Sequence, residues 1–224
     1  MTNVPSVPAG TRAAIDAFRE KLRTPATVAP GTRGRLIFAL DATQSRQPTW
    51  DRACELQAEM FQAVPGGLDV QLVFYRGLHE CSASRWVSDG RALAGLMEKI
   101  DCRSGPTQIG RVLRHTRVEN AKGKVSALVF VGDAMEEKPE DLYVAARDLG
   151  VQAFLFQEGD DPDVTQTFRE IAQLTKGAHC RFDPGAADQL RDLLHAVAEY
   201  ATGGLKALSA SRNPGAVKLL QQLK

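Results

Sequence analysis

A short apolar run that ends in a carboxylate is the first feature of this chain that could do chemistry. The run Leu36–Leu40 is followed directly by Asp41. Two hydroxyl residues, Thr43 and Ser45, come next at alternate positions. One carboxylate and two hydroxyls form an all-oxygen ligand set, which suits a hard divalent cation such as Mg²⁺ rather than a soft metal. We therefore predict that these three residues bind a metal.

Two later loops carry oxygen ligands of the same kind. Thr107 follows the loop 101–106 and stands just before a predicted helix, 108–118. Asp133 comes directly after the strongly apolar segment Val125–Val131, with one glycine between them. Each of these residues, taken alone, is also a favoured helix N-cap, and Thr107 is the best candidate for that role. Only the fold can decide between separate caps and one shared site.

The elements around these loops predict an α/β fold. Strand and helix patterns alternate along the range 36–200, which is typical of a mostly parallel sheet with helices on both faces. The segments Leu36–Leu40 and Val125–Val131 are almost wholly apolar, so we place them side by side near the middle of the sheet. Because ligands bind beyond the carboxyl ends of parallel strands, the three loops should share one edge. We predict a three-layer α/β/α domain, Rossmann-like and doubly wound.

The order and spacing of these residues resemble the von Willebrand factor A (VWA) family, and specifically its metal-ion-dependent adhesion site (MIDAS). That site combines Asp-x-Ser-x-Ser after the first strand with a distant Thr and with a distant Asp after the fourth strand. The matching positions are Asp41, Thr43, Ser45, Thr107 and Asp133. The resemblance covers about residues 35–200. Thr43 stands where the family usually has Ser; it keeps the hydroxyl and adds a methyl group, which would either tighten the site or slightly alter its geometry.

The resemblance implies protein recognition rather than catalysis. A Mg²⁺ ion (or Mn²⁺ or Ca²⁺) held mostly by neutral oxygens keeps positive charge at an open position, which an Asp or Glu of a partner protein can fill. By analogy with the family, Thr43 and Ser45 would bind the ion directly. Asp41 and Asp133 would bind directly or through water, and Thr107 would join in some states. Intracellular family members of bacterial type often work beside AAA+ ATPases or in operon-encoded complexes, and we expect partners of that kind.

Other functions compete with this interpretation. A haloacid-dehalogenase-like phosphatase would need a second Asp two residues after Asp41, where this chain has Thr43. A cysteine hydrolase would need a base beside its thiol, but His179 and Cys180 are adjacent and would point to opposite faces of a strand. A Mg²⁺-dependent hydrolase is therefore the weaker alternative. The stronger one is a metal-independent scaffold or assembly subunit that binds its partners through its terminal segments.

Composition narrows the partners and the location. With 28 basic and 27 acidic residues the net charge is +1, which gives no reason to expect nucleic acid or an anionic membrane as partner. The N-terminus lacks the basic and apolar parts of a signal peptide, and no apolar run reaches the roughly 20 residues that span a bilayer, so we expect a cytoplasmic protein. We divide the chain into an N-terminal arm with a short helix (1–34), a VWA-like domain (35–201) and a C-terminal tail with a short apolar helix (202–224).

Overall fold

The structure is a computed structural model that describes residues 33–223 apart from 63, 65, 66 and 185. The side chains of residues 45, 57–59 and 62 also lie outside the described part. The predicted N-terminal arm, 1–34, and its short helix therefore fall almost wholly outside the described residues.

A twisted layer of six strands forms the middle of the described structure. The strands are β1 Gly34–Asp41, β2 Leu68–Arg76, β3 Glu80–Val87, β4 Ala127–Gly132, β5 Ala153–Glu158 and β6 Ala178–Phe182. Their order in the sheet is β3-β2-β1-β4-β5-β6. All neighbouring pairs are parallel except β2 with β3, an antiparallel hairpin at one edge. The chain thus runs outward from β1 in one direction and then in the other, so loops from both halves meet beyond the ends of β1 and β4.

The central pair predicted from the sequence is confirmed. β1 and β4 lie side by side, with Leu36 opposite Ala127 and Leu40 opposite Val131. Every residue of β4 is buried, and so is every residue of β1 except Arg35. Both strands are apolar throughout because helices cover both of their faces.

Seven α-helices pack on the two faces of the sheet within the described residues. They are α1 Gln47–Gln62, α2 Gly90–Met97, α3 Ile109–Lys122, α4 Pro139–Arg147, α5 Pro162–Leu174, α6 Ala187–Ala210 and α7 Pro214–Leu220. One core, which includes Phe38 and Trp50, lies under α1, α2, α6 and α7. The other, which includes Phe130 and Phe168, lies under α3, α4 and α5. This arrangement confirms the predicted three-layer α/β/α fold. None of the described helices is long and apolar enough to cross a membrane.

The last long helix continues beyond its predicted end at Tyr200 and reaches Ala210. The predicted joint at Gly203–Gly204 is a kink inside this helix, where Gly204 has a φ of 63°. Glycine adopts this left-handed conformation without the steric penalty that a side chain would bring. The kink redirects the chain but does not separate a tail from the domain.

The segment after the kink packs against its own domain. α7 lies against α6, and Leu219 is fully buried in the same core as Phe38. The side chain of Gln222 then forms two hydrogen bonds with the main chain at the outer edge of β6. Its Oε1 accepts a 2.9 Å hydrogen bond from the N–H of His179, and its Nε2 donates a 2.7 Å bond to the His179 carbonyl. These two bonds satisfy main-chain groups of an edge strand that would otherwise be open to pairing.

Leu219→Ala tests how much this packing contributes. Deleting a fully buried leucine side chain leaves a cavity, so we expect a loss of about 2–5 kcal/mol in the free energy of unfolding. Val217→Ala, on the exposed side of the same helix, should change it by less than about 0.5 kcal/mol. Urea denaturation of both variants provides the measurement. Equal losses in the two variants would contradict the docking of α7.

Candidate metal centre

Asp41 is the last residue of β1 and lies in a buried, hydrogen-bonded position. It is 3 % exposed, and its Oδ1 accepts a 2.8 Å hydrogen bond from the main-chain N–H of Thr43. Burial raises the pKa of the Asp41 carboxyl, while the hydrogen bonds from Thr43 and the charge of Arg46 act in the opposite direction. A buried carboxylate is costly unless a cation or several donors balance it. The end of β1 thus offers a carboxylate that a bound cation would stabilise.

Thr107 lies at the same edge and is locked to the loop that follows β4. Its N–H donates a 2.9 Å hydrogen bond to the carboxylate of Glu136, and its Oγ1 accepts a 2.9 Å bond from the N–H of Glu136. A hydroxyl oxygen has two lone pairs, so one of them can still bind a cation. The pair of bonds joins the loop before α3 to the loop after β4.

The N-terminus of α3 is capped by Glu137 and not by Thr107. The two carboxylate oxygens of Glu137 accept hydrogen bonds of 2.7 Å from the N–H of Ile109 and 2.8 Å from the N–H of Gly110. A carboxylate at this place satisfies unpaired helical N–H groups and complements the helix dipole. The interpretation of Thr107 as a helix cap is therefore wrong.

Close packing against the turn between β2 and β3 holds the Thr107 loop in place. A Cβ atom on Gly105 would lie 2.1 Å from the carbonyl oxygen of Gly77, so this approach requires glycine. The side-chain amide of Gln108 donates a 3.1 Å hydrogen bond to the same carbonyl. The loop therefore has little room to move away from the end of β1.

A buried arginine lies next to Asp133. Nη1 of Arg46 is 3.5 Å from Oδ2 of Asp133, and it also donates to the carboxylate of Glu158 at the end of β5. The hydroxyl of Thr49 donates to the same Glu158 oxygen. Arg46 and Glu158 are only 3 % and 8 % exposed. Arg46 thus forms an ion pair with one of the two carboxylate oxygens of Asp133.

That other oxygen, Oδ1 of Asp133, is buried and has no hydrogen-bond partner among the described residues. Buried carboxylate oxygens are almost always paired, because leaving one unpaired costs the full desolvation of the atom. A cation bound beside it would satisfy this atom. The orphaned oxygen is thus the observation that fits a metal most directly.

One cleft of about 250 Å³ brings four of the five predicted ligands together. Its lining residues are Asp41, Thr43, Gln44, Ser104, Gly105, Thr107, Asp133, Ala134 and Glu136. The fifth predicted ligand, Ser45, has its main chain in the 3₁₀ turn Gln44–Arg46 at the same edge. Its side chain falls outside the described residues, so its position stays a prediction.

The donor set of this cleft is rich in hydroxyls and poor in carboxylates. No group of three or more His, Cys, Asp or Glu residues in the described part of the chain is placed to hold a metal. A cation here would need Asp41, Asp133, hydroxyl oxygens and water together. Mg²⁺ accepts such a set, because it takes about six oxygen ligands and readily keeps several waters.

The sequence analysis missed four residues that shape this region: Arg46, Glu136, Glu137 and Glu158. One local signal was the position of Arg46 directly after Ser45. The pair Glu136–Glu137 could have been noticed as two acids three and four residues after Asp133. Their partners lie on other elements, so the sequence did not show what they do.

The adjacent residues His179 and Cys180 do not form a nucleophile and base. The ring of His179 lies on the α5 side of the sheet against Phe168, 3.0 Å from the Oε1 of Gln157. The thiol of Cys180 belongs to the opposite core. Burial lowers the pKa of His179 to about 4 and raises that of the Cys180 thiol to about 11. A buried thiol of this pKa stays protonated at neutral pH and is a poor nucleophile.

Comparison with known proteins identifies the fold. No protein-family model matches the chain, and no curated protein matches it either. Among solved structures, a von Willebrand factor type A protein from Catenulispora acidiphila gives a TM-score of 0.63 at 15 % identity, over 76 % of this chain and 43 % of that one. The SpRpn10 VWA domain gives 0.58 at 12 % identity, over 77 % of this chain and 98 % of that one.

A third match is the vWF domain of the type V pili tip protein Mfa5 from Porphyromonas gingivalis. Its TM-score is 0.57 at 10 % identity, over 78 % of this chain and 95 % of that one. The present chain thus spans less than half of the Catenulispora protein but nearly all of the two isolated domains. At these identities the likeness concerns the fold alone, and this chain has the VWA fold.

Glu137→Ala tests the cap that holds the Thr107 loop. The substitution leaves two helical N–H groups without their acceptors, so we expect the free energy of unfolding to fall by about 2 kcal/mol. Glu137→Gln keeps one acceptor oxygen and should lose about half as much. Urea denaturation measures both variants. A wild-type value for Glu137→Ala would show that the cap is not formed in solution.

Proposed function

We propose that this VWA-fold chain is a protein-interaction module that recognises a carboxylate of its partner through a divalent cation, preferably Mg²⁺ and otherwise Mn²⁺ or Ca²⁺. The observation that carries the proposal is the cleft in which Asp41, Thr43, Thr107 and Asp133 meet, with a buried and unpaired oxygen on Asp133. The resemblance of the same residues to a MIDAS supports it. The VWA fold of the chain is consistent with a role in protein–protein interaction.

The residues of the cleft divide naturally into charged and neutral ligands. Asp41 and Asp133 would supply negative charge to the cation, directly or through water. The hydroxyls of Thr43, Thr107 and Ser45 would add neutral oxygens. Bound there, the ion would supply a Lewis-acidic position that accepts a further oxygen ligand.

Nearby charges affect how strongly the cation would bind and how strongly it would attract a partner's carboxylate. Arg46 and Glu158 pair with each other, so their charges largely cancel next to the site. Glu136 adds a negative charge at the exposed rim of the cleft. That charge should favour cation binding and moderate the attraction between the bound cation and a partner's carboxylate.

Two of the structural matches are pilus proteins, which fits a role in recognition. One structural match is a pilus adhesin, SpaC from Lactobacillus rhamnosus GG, with a TM-score of 0.58 at 10 % identity, over 76 % of this chain and 30 % of that one. For this chain we retain the expectation of an intracellular partner, such as an AAA+ ATPase or another subunit of an operon-encoded complex. A metal-independent scaffold is the alternative, and the two differ in their response to chelation.

Asp41→Ala is the direct test of the metal site. Removing the central carboxylate should abolish the binding of Mg²⁺ and Mn²⁺ measured by calorimetry. Because burying this carboxylate is costly in the absence of a cation, the metal-free variant should be at least as stable as the wild type. Asp160→Ala, which removes an exposed carboxylate in the loop after β5, is the matched control. Equal cation binding by wild type and Asp41→Ala would reject the site.

Chelation tests the mode of partner binding. We expect partner capture by the full chain to disappear in EDTA and to return when Mg²⁺ is added in excess. Capture that ignores EDTA, and that is also unchanged in Asp41→Ala, would favour the metal-independent scaffold.

A further inference from the structure

A second cavity of about 460 Å³ lies beside the cleft, at the same edge of the sheet. We call it the side cavity. It is bounded by the first turn of α1, the ends of β5 and β6 and the start of α6. Its apolar walls are Pro48, Phe182, Pro184, Ala186, Ala187 and Leu190. Its size is within the range of cavities that bind small ligands or single side chains.

Each charged residue of the side cavity lies next to a charge of opposite sign, and Nε of Arg46 is in addition buried without a hydrogen-bond partner among the described residues. Arg46 bonds Glu158 and lies 3.5 Å from Asp133. Arg52, at the mouth, forms a 2.8 Å ion pair with Glu55. Because each lining charge has a neighbour of opposite sign in the described structure, the cavity gives no strong preference to an ionic occupant. Its apolar walls therefore favour an aliphatic or aromatic group.

Asp133 joins the two cavities. It lines both the cleft and the side cavity. A group bound in the cleft and a group bound in the side cavity would therefore be separated by little more than one side chain. In an extended peptide, side chains two residues apart point to the same face and lie about 7 Å apart, which provides that spacing.

We propose that the side cavity receives a large apolar side chain that stands two residues away, in the partner's sequence, from the acidic residue bound in the cleft. This proposal rests on the proposed function, since the acidic residue is the one held by the cation. It narrows the partner to a protein with an exposed, extended segment in which an Asp or Glu stands two residues from a residue such as Leu or Phe. The cation would orient the segment, and the side cavity would supply selectivity.

The test uses the full chain in excess Mg²⁺ and three short peptides, with binding followed by NMR titration. The first is acetyl-Leu-Ala-Glu-Ala-Leu-amide, which offers a leucine two residues from the acid on either side. The second replaces both leucines by alanine, and the third replaces the glutamate of the first by glutamine. Burying one leucine side chain corresponds to about tenfold or more in affinity. We expect the first peptide to bind at least about tenfold more tightly than the other two.

A filled cavity provides the matched variant. Ala187→Trp should block the side cavity and remove the preference for leucine, while Mg²⁺ binding stays unchanged. Ala210→Trp places the same side chain at the exposed far end of α6 and should keep the preference. The comparison of peptides on the wild-type chain decides the proposal even if the blocked variant does not fold.

The outcomes separate this inference from the proposed function. Equal binding of the leucine and alanine peptides, both dependent on Mg²⁺, would overturn the inference and leave the proposed function intact. Equal binding of the glutamate and glutamine peptides would show that the side cavity takes apolar groups without the cation, which also overturns it. If the wild-type chain does not bind Mg²⁺ by calorimetry, the proposed function fails and the inference falls with it.

Discussion

The parallel pairing of β1 with β4 is the constraint on which the candidate site depends. Leu40 lies opposite Val131, so both strands end at the same level of the sheet. Asp41 and Asp133 follow these ends, one directly and one after Gly132. An antiparallel pairing would have sent the two carboxylates to opposite edges. The burial of both strands makes this register hard to change, because a shift by one residue would exchange the apolar side chains of the two cores.

The edge created by this pairing carries more buried charge than the rest of the fold. Asp41 is buried beside Tyr75, whose pKa is raised well above its usual value by burial and by the neighbouring carboxylate. Arg46 lies between Asp133 and Glu158. A buried ion pair adds little net stability compared with apolar packing, but losing one partner is costly. Such an arrangement fits an edge that is organised for binding and is supported by the two apolar cores below it.

Contacts between loops keep this edge in one shape. Thr107 and Glu136 exchange two hydrogen bonds, and Glu137 caps α3. The adjacent loop is pressed against the turn at Gly77. Folding already orders these loops, so less conformational entropy is lost when a ligand binds. The C-terminal helix α7 contributes to the core under α6 and does not line the cleft.

The sequence by itself determined the layers, the central strands and four residues of the cleft. Hydrophobic periodicity is local, and the carboxyl ends of parallel strands must meet at one edge, so the sequence pattern places Asp41, Thr43, Thr107 and Asp133 together. The tertiary structure alone decided which residues surround them. Arg46 pairs with Glu158, which is 112 positions away, and Glu137 caps a helix that begins 28 positions earlier. Contacts of this kind depend on how separate elements are set against one another, and no local pattern records them. The kink at Gly204 likewise depends on the tertiary structure. A pair of glycines allows either a flexible joint or a fixed bend, and the packing of α7 on the core selects the fixed bend.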